Sequence, residues 1–317
     1  IHMLDKKIRS FDQAKIQLAF GVYTMEYKTV ELRQMEDRAA MARKAAKSNL
    51  LTNVVFYKEQ FKENLYNRKF IEENMQAAIA NRQIMMYLQP KYSISKNEII
   101  GAEALVRWKH PTRGMIYPDQ FIPVIEENGF IKNVDYFIWA EACRFIKRCQ
   151  ESGIEPCPVS VNVSRIHLRN DECVGMLLDM VKDNDIPKEL LELEITESAD
   201  DQQISKKALE LKEEGFTLLM DDFGSGYSSL NILLETPFDV IKLDKKFIEN
   251  MMVSNKGKLI LEQVVSMASK LELGLLAEGV ETKGQIDMLN SIGCDQVQGY
   301  YYARPMPEDD FFALLKK

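Results

Sequence analysis

The sequence predicts a (β/α)₈ barrel whose first two strands form an antiparallel pair, with a short α+β segment in front of it. Three observations predict this. After residue 84, eight apolar runs of strand length recur along the chain. The last six are separated by helical stretches, the pattern of parallel βα units. The first two are separated only by the polar turn Ser95-Lys96-Asn97, too short for a helical crossover. Eight strands over roughly 230 residues fit a barrel of this class.

In chain order, IQLAFGVYTM at 16–25 reads as a strand, 29–48 as a helix rich in Ala, Glu, Lys, Arg and Met, and 58–83 as a second long helix. The barrel strands follow. They are IMMYLQP (84–90), EIIGAEALVRW (98–108), CPVSVNVS (157–164), LLELEITE (190–197), FTLLMDD (216–222), FDVIKLD (238–244), LGLLAEGVE (273–281) and CDQVQG (294–299). Alternation assigns their faces. Leu191, Leu193 and Ile195 share one face and Glu192 and Glu194 the other; Val159, Val161 and Val163 oppose Ser160, Asn162 and Ser164. Gly101, Glu103, Leu105 and Arg107 share a face of the second strand. The apolar sets are expected under the helices, the polar sets in the barrel or its mouth.

Composition narrows the function classes. Of 317 residues, 46% are apolar and 28% charged, enough to bury a core without cross-links. The net charge of −7 excludes a broad basic field for a nucleic-acid polymer. A small anion remains possible if local positive groups or metal ions meet it. Five cysteines, Cys143, Cys149, Cys157, Cys173 and Cys294, show no C-x-x-C spacing and are expected as free thiols in a reducing cytosol. No H-E-x-x-H, signal peptide or membrane-length apolar run occurs. The opening Ile1-His2-Met3 resembles a cloning remnant, so a piece of a longer cytoplasmic or membrane-anchored protein is expected, with no membrane contact by this piece.

The polar groups fall where a barrel keeps its chemistry. Asn162, Glu194 and Glu197, Asp221 and Asp222, Glu278 and Glu281, and Gln298 each close an apolar run, and Lys242 lies within VIKLD. The C-terminal strand ends of a barrel share one face, and that face carries the active site. Carboxylates gathered there repel one another unless cations bind them. Oxygen donors without histidine or cysteine favour Mg²⁺ or Mn²⁺ over Zn²⁺. Two such ions suit phosphodiester hydrolysis. Lys242 then supplies a fixed positive charge or orients the water, and Arg107 can fork onto a phosphate or a guanine edge. Gly224, Ser225 and Gly226 form a loop that lets the backbone turn sharply beside a ligand.

Glu103-Ala104-Leu105 within EALVRW is followed by HPTRG, VNVS, EITES, DDFGSGYSSL, IKLD, AEGVE and QGYYYARP, and preceded by the Q-P of YLQP. In this order, over roughly residues 68–317, these segments resemble the EAL domain family. The resemblance implies a modified TIM barrel that hydrolyses cyclic di-GMP to linear pGpG with Mg²⁺ or Mn²⁺. It implies metal ligation by Glu103, Asn162, Glu194, Asp221, Asp222 and Glu278, and a catalytic Lys242 near the attacking water. It implies that Glu197 supports the loop after Asp222, that Gln89, Leu105 and Arg107 contact the nucleotide, and that Glu281 and Gln298 are further site residues. Catalytic roles are expected for Glu103, Lys242, Glu278, Asp222 and Glu197; substrate contacts for Gln89, Leu105, Arg107, Asn162, Glu281 and Gln298. A homodimer with contacts near the helix after Phe223–Ser229 is implied as well.

The opening segment, with FGVY, an Ala-rich helix ending in AAKS and then NVVFY, resembles the C-terminal part of a GGDEF domain without its signature. The expected division is 1–66 for that fragment and a linker helix, and 67–317 for the EAL domain. Two rivals remain: a catalytically silent cyclic di-GMP receptor acting through conformation or dimerisation, and a dimer-forming scaffold. Glu192, His110 and His167 read as structural residues, the histidines as hydrogen-bonded ones.

Overall fold

A computed structural model of the chain describes residues 18–25, 30–47, 52–196, 202–224 and 229–316. It divides at Met75 into two compact units. In the first, β1 (Phe20–Val22) and β2 (Val54–Phe56) pair in parallel, with α1 (Leu32–Lys47) between them in the chain. Ala42 and Ala46 are the buried positions of α1. A long helix, α2 (Glu59–Ala80), leads out of this unit. The expected strand and two helices are present, the strand shortened to three residues.

The second unit is the barrel. Its strands are β3 (Ile84–Ser93), β4 (Glu98–His110), β6 (Val159–Asn162), β7 (Leu191–Thr196), β8 (Thr217–Phe223), β9 (Val240–Leu243), β10 (Gly274–Ala277) and β11 (Gln296–Val297). From β4 through β6 to β11 every neighbouring pair is parallel. β3 closes the ring, antiparallel to both β4 and β11. All eight barrel strands lie where alternation and turn chemistry predict them. Three short strands were not foreseen: β2 in the first unit, β5 (Gly114–Ile116), which folds back on β4, and β12 (Met306–Pro307), which pairs with β3 beyond β11. Strands of two or three residues carry too few positions for a period to show.

Helices α3 (Pro118–Glu127), α4 (Ile131–Glu151), α5 (Arg165–Leu168), α6 (Cys173–Asp183), α7 (Gln202–Glu213), α8 (Ser229–Glu235), α9 (Lys245–Met252), α10 (Asn255–Lys270), α11 (Lys283–Ser291) and α12 (Glu308–Leu315) connect and flank the strands. Val159, Val161, Leu191 and Leu193 are fully buried, the apolar set expected under the helices. Trp139 of α4 is fully buried and donates to the carbonyl of Asn162 at 2.9 Å, tying the helix to the end of β6.

Strand ends become helix starts through local capping. Asp244, directly after β9, accepts from the amide of Lys246 at 2.9 Å. Thr282 and Gln285 form a reciprocal capping box at the start of α11. The Asp244 cap fixes where the strand carrying Lys242 stops, and the capping box orders the segment that follows Glu278. A Cβ on Gly299 would lie 2.1 Å from the Val280 carbonyl oxygen, so only glycine lets the chain after Gln298 pass that close. All five cysteines are free thiols, four of them buried. Among the described residues, no helix is long and apolar enough to cross a membrane.

Candidate active site

Lys242 stands at the centre of the polar interior. Its side chain is 1% exposed. Nζ lies 2.6 Å from Glu194 Oε2, 2.7 Å from Glu278 Oε1, 2.9 Å from Asp221 Oδ1 and 3.8 Å from Glu103 Oε1. Four strands, β4, β7, β8 and β9, and the residue after β10 thus converge on one ammonium. Burial opposes its charge, but Asp221, Glu103, Glu194 and Glu278 outweigh burial and hold its pKa well above the usual lysine range. Burial pushes Glu194 and Glu278 up, Glu103 adds repulsion to both, and Lys242 counters in part.

An amide clamp adjoins the cluster. Gln298 Nε2 donates to Glu103 Oε2 at 2.5 Å and to Gln89 Oε1 at 3.1 Å, and Gln89 Nε2 donates to the Ala303 carbonyl at 3.2 Å. Gln89 and Glu103 are direct cross-strand partners, and so are Asn162 and Glu194. Deeper in the barrel, Lys91 meets Glu192 at 2.7 Å and Glu194 Oε1 at 3.8 Å. That pairing gives Glu192 the structural role read for it.

Adjacent carboxylates on one strand should point to opposite faces. At Asp221-Asp222 the register of β8 against β9 breaks between Met220 and Phe223, and Asp222 takes φ +59°. Aspartate is among the few side chains that tolerate this left-handed conformation. The irregularity lets Asp221 reach Lys242 while Asp222 lines a cleft. Burial, then Asp221 and Asp244, raise the Asp222 carboxyl above its usual range.

The cleft has a volume of about 770 Å³ and is lined by Leu105, Asn162 and Asp222 together with apolar residues of α3 and α4 and with Arg165 and Arg169. Arg107 is half-buried, donates to its neighbour's carbonyl at Val106 (2.8 Å) and lies 5.7 Å from the Tyr87 ring centre. Glu281 stands apart from the cluster and pairs with Lys245 at 2.5 Å. Glu197 and the loop residues 225–228 lie outside the described residues. The structure therefore brings Glu103, Glu194, Asp221, Lys242, Glu278, Gln89 and Gln298 into one network, and Leu105, Asn162 and Asp222 onto one cleft.

Asp135 was missed. It is a single polar position on the amphipathic α4, and nothing in its spacing separates it from a solvated face. It is 8% exposed, lines the cleft, and accepts from the Ser164 amide at 3.3 Å. Burial pushes its pKa from 3.8 up to about 7. A folded-state value above the unfolded one means the folded protein holds the extra proton. Stability then falls as pH rises from about 4 to about 7, and is level above that. Asp135→Asn removes this dependence. The variant is expected to exceed wild type at pH 8 by on the order of 2–4 kcal/mol and to match it near pH 4. Thermal melts at both pH values check this; parallel profiles for the two proteins would mean an ordinary carboxyl.

The donor set around Lys242 suits a hard divalent cation. It is all oxygen, and Glu194 Oε1 is buried without a hydrogen bond. Raised carboxyl pKa values mark a cluster short of positive charge. By donor chemistry the residues fit such an ion. In the arrangement described the carboxylates turn toward Lys242, and among the described residues no three acidic, histidine or cysteine groups are set to coordinate one point.

Known proteins resemble this chain in sequence and fold. The EAL domain family matches residues 72–305. An uncharacterized signaling protein of Caulobacter vibrioides is 38% identical over 257 residues, 80% of this chain and 31% of that protein. The cyclic di-GMP phosphodiesterase NbdA of Pseudomonas aeruginosa is 35% identical over 272 residues, 85% of this chain and 35% of that protein. The chain thus spans about a third of the length of these curated relatives. The solved PaMucR phosphodiesterase in complex with c-di-GMP aligns with a TM-score of 0.72 and 32% identity, over 76% of this chain and 99% of that one. With the family matched over most of the barrel and the motif residues gathered at its mouth, the chain belongs to the EAL domain family.

Proposed function

We propose that this chain is a metal-dependent phosphodiesterase that opens cyclic di-GMP to linear 5′-pGpG. The observation that carries the reading is the convergence of Glu103, Glu194, Asp221 and Glu278 on Lys242 beside the cleft. A relative named as a cyclic di-GMP phosphodiesterase and a solved phosphodiesterase in complex with c-di-GMP support the substrate. Glu103, Asn162, Glu194, Asp221, Asp222 and Glu278 would hold Mg²⁺ or Mn²⁺, two ions in all. When bound, the ions supply charge for the phosphate oxygens and acidify a water.

The chain's own residues do the rest. Lys242, held well above the usual lysine range, keeps its proton and acts as a fixed charge that orients the water. Gln298 restrains Glu103 through the amide clamp. Leu105, Asn162 and Arg107 contact the nucleotide at the cleft, and Gln89 at the clamp. Glu197 supports the loop after Asp222, and Glu281 orders the segment after β10 through Lys245. The chain acts as a homodimer in the cytoplasm, with contacts near the helix after Phe223–Ser229. Residues 1–66 are the C-terminal fragment of a GGDEF domain with a linker helix, and 67–317 form the EAL domain.

Incubation of the purified chain with cyclic di-GMP and Mg²⁺ or Mn²⁺ is expected to accumulate pGpG on chromatography. Excess EDTA abolishes turnover, and Ca²⁺ occupies the site without restoring it, because it tolerates irregular geometry and polarises water weakly. Product formed at full rate in chelator would overturn the metal-dependent reading. Binding without product under every ion would favour the receptor instead.

A further inference from the structure

On the flank of the barrel lies a second concavity, of about 470 Å³, lined in part by α4. That volume falls in the range of small-molecule sites. Tyr136, Phe137 and Met176 give it apolar walls. Five nitrogen-bearing side chains line the same space: Lys132, Asn133, Arg144, His167 and Asn170, with Arg144 paired to Glu141 on its own helix.

His167 is the unusual one. It is 1% exposed, and neither ring nitrogen has a hydrogen bond of good geometry, with the Lys132 backbone and the Asp135 carboxylate as near polar neighbours. Its ring packs 4.5 Å from that of Trp139. The expectation of a hydrogen-bonded histidine is met only weakly here, by the Lys132 backbone, whereas His110 meets it by accepting from the amides of Thr112 and Arg113. Burial holds the His167 pKa down to about 4, so the ring is neutral and offers one N–H and one lone pair. A buried polar group without a partner is costly, and native proteins rarely keep one. Among the described residues no acidic side chain pairs with Lys132. Asn170 uses its Oδ1 to accept from the Glu172 amide at 3.2 Å, and its Nδ2 makes no hydrogen bond among the described residues. The Lys132 ammonium, the Arg144 guanidinium shared with Glu141, and the N–H groups of Asn170 and His167 beside aromatic and thioether walls match a carboxylate on an apolar body.

The groove also touches the cleft wall. His167 Nε2 lies 3.6 Å from Asp135 Oδ2, and Asp135 lines the cleft and receives the Ser164 amide. A ligand that takes up the imidazole changes the polar surroundings of Asp135. We propose that this groove is a regulatory site for a small carboxylate with an aromatic or branched aliphatic body, held by Lys132 and His167 and coupled to the cleft through Asp135. The coupling, but not the site, rests on the phosphodiesterase reading.

The probe is 2-naphthoate, titrated calorimetrically into the full chain. Lys132→Glu and His167→Phe are each expected to weaken binding about tenfold or more, the loss of one charge-assisted contact. The neutral 2-naphthalenemethanol should bind about tenfold more weakly than the acid. Saturating naphthoate is expected to shift cyclic di-GMP affinity, measured with Ca²⁺, by about fivefold or more in wild type and not in Lys132→Glu. No naphthoate binding to wild type, or equal binding to wild type and Lys132→Glu, overturns the site. Binding that follows the variants while cyclic di-GMP affinity stays constant overturns the coupling. Failure to bind cyclic di-GMP at all, with naphthoate binding intact, removes the phosphodiesterase reading and leaves the site standing. Lys132 is a partly exposed helix position, so its variant keeps the test open even if His167→Phe does not fold.

Discussion

Lys242→Met is expected to slow single-turnover hydrolysis of cyclic di-GMP by ~10²–10³. Methionine keeps the volume and removes the charge. Negative charge builds on the phosphate as the water loses its proton, and the ammonium acts most strongly then. Ligand affinity, which the proposed function rests on Arg107, Asn162 and the metal ligands, is expected to shift far less. The structure adds a second effect. Glu194, Asp221 and Glu278 each lose a partner within 3 Å, and removing one side of a buried ion pair commonly costs about 3–5 kcal/mol. The metal-free variant should therefore melt well below wild type, and Mg²⁺ or Mn²⁺ should recover much of the difference by binding the folded state. Stopped-flow kinetics and melts with and without the ion read both effects. An unchanged rate with a large drop in affinity would make Lys242 a binding residue instead.

The second large effect runs the other way for stability. Glu103→Ala is expected to lose hydrolysis by ~10³, because in the proposed function it donates to the ion. Yet Glu103 is a source of repulsion that raises both Glu194 and Glu278. Its removal relieves a crowded cluster and releases Gln298, whose amide keeps Gln89 as a partner. The metal-free variant is expected to melt at or above the wild-type temperature. Differential scanning calorimetry beside a pGpG assay makes the comparison. A near-normal rate would end the assignment, and an unfolded variant would make Glu103 part of the core.

Much of this site is readable from residues alone because barrels convert strand ends into geometry. Once LELEITE, TLLMDD, VIKLD and LLAEGVE are strands, their polar ends must share one rim. Where the reading stopped has equally physical reasons. Asp221 reaches Lys242 and Asp222 lines the cleft across a register break with a left-handed residue, and no spacing rule announces a break. Lys91 sits in an ordinary strand run and gains its meaning from Glu192, 101 residues away. Asp135 and His167 lie on helices whose polar positions are mostly solvated, so burial alone distinguishes them. Arg107 and Glu281 sit in recognised motifs, but the structure gives each a local partner, Val106 and Lys245, apart from the ammonium cluster.

The way β3 closes the barrel has a consequence for how the protein is made. β3 pairs with β4 almost at once along the chain, but its other edge waits for β11 and β12. Gln298 reaches Gln89 across 209 residues and Glu103 across 195. At roughly 5–20 residues per second of synthesis, that edge stays open for ~10–40 s. During this interval a ten-residue strand offers unpaired backbone groups to any neighbour. Contacts this distant also slow folding once the chain is complete. A nascent chain halted before residue 296 has neither a closed ring nor a hand on Glu103, so β11 and the residues just after it decide whether the first barrel strands can ever do chemistry.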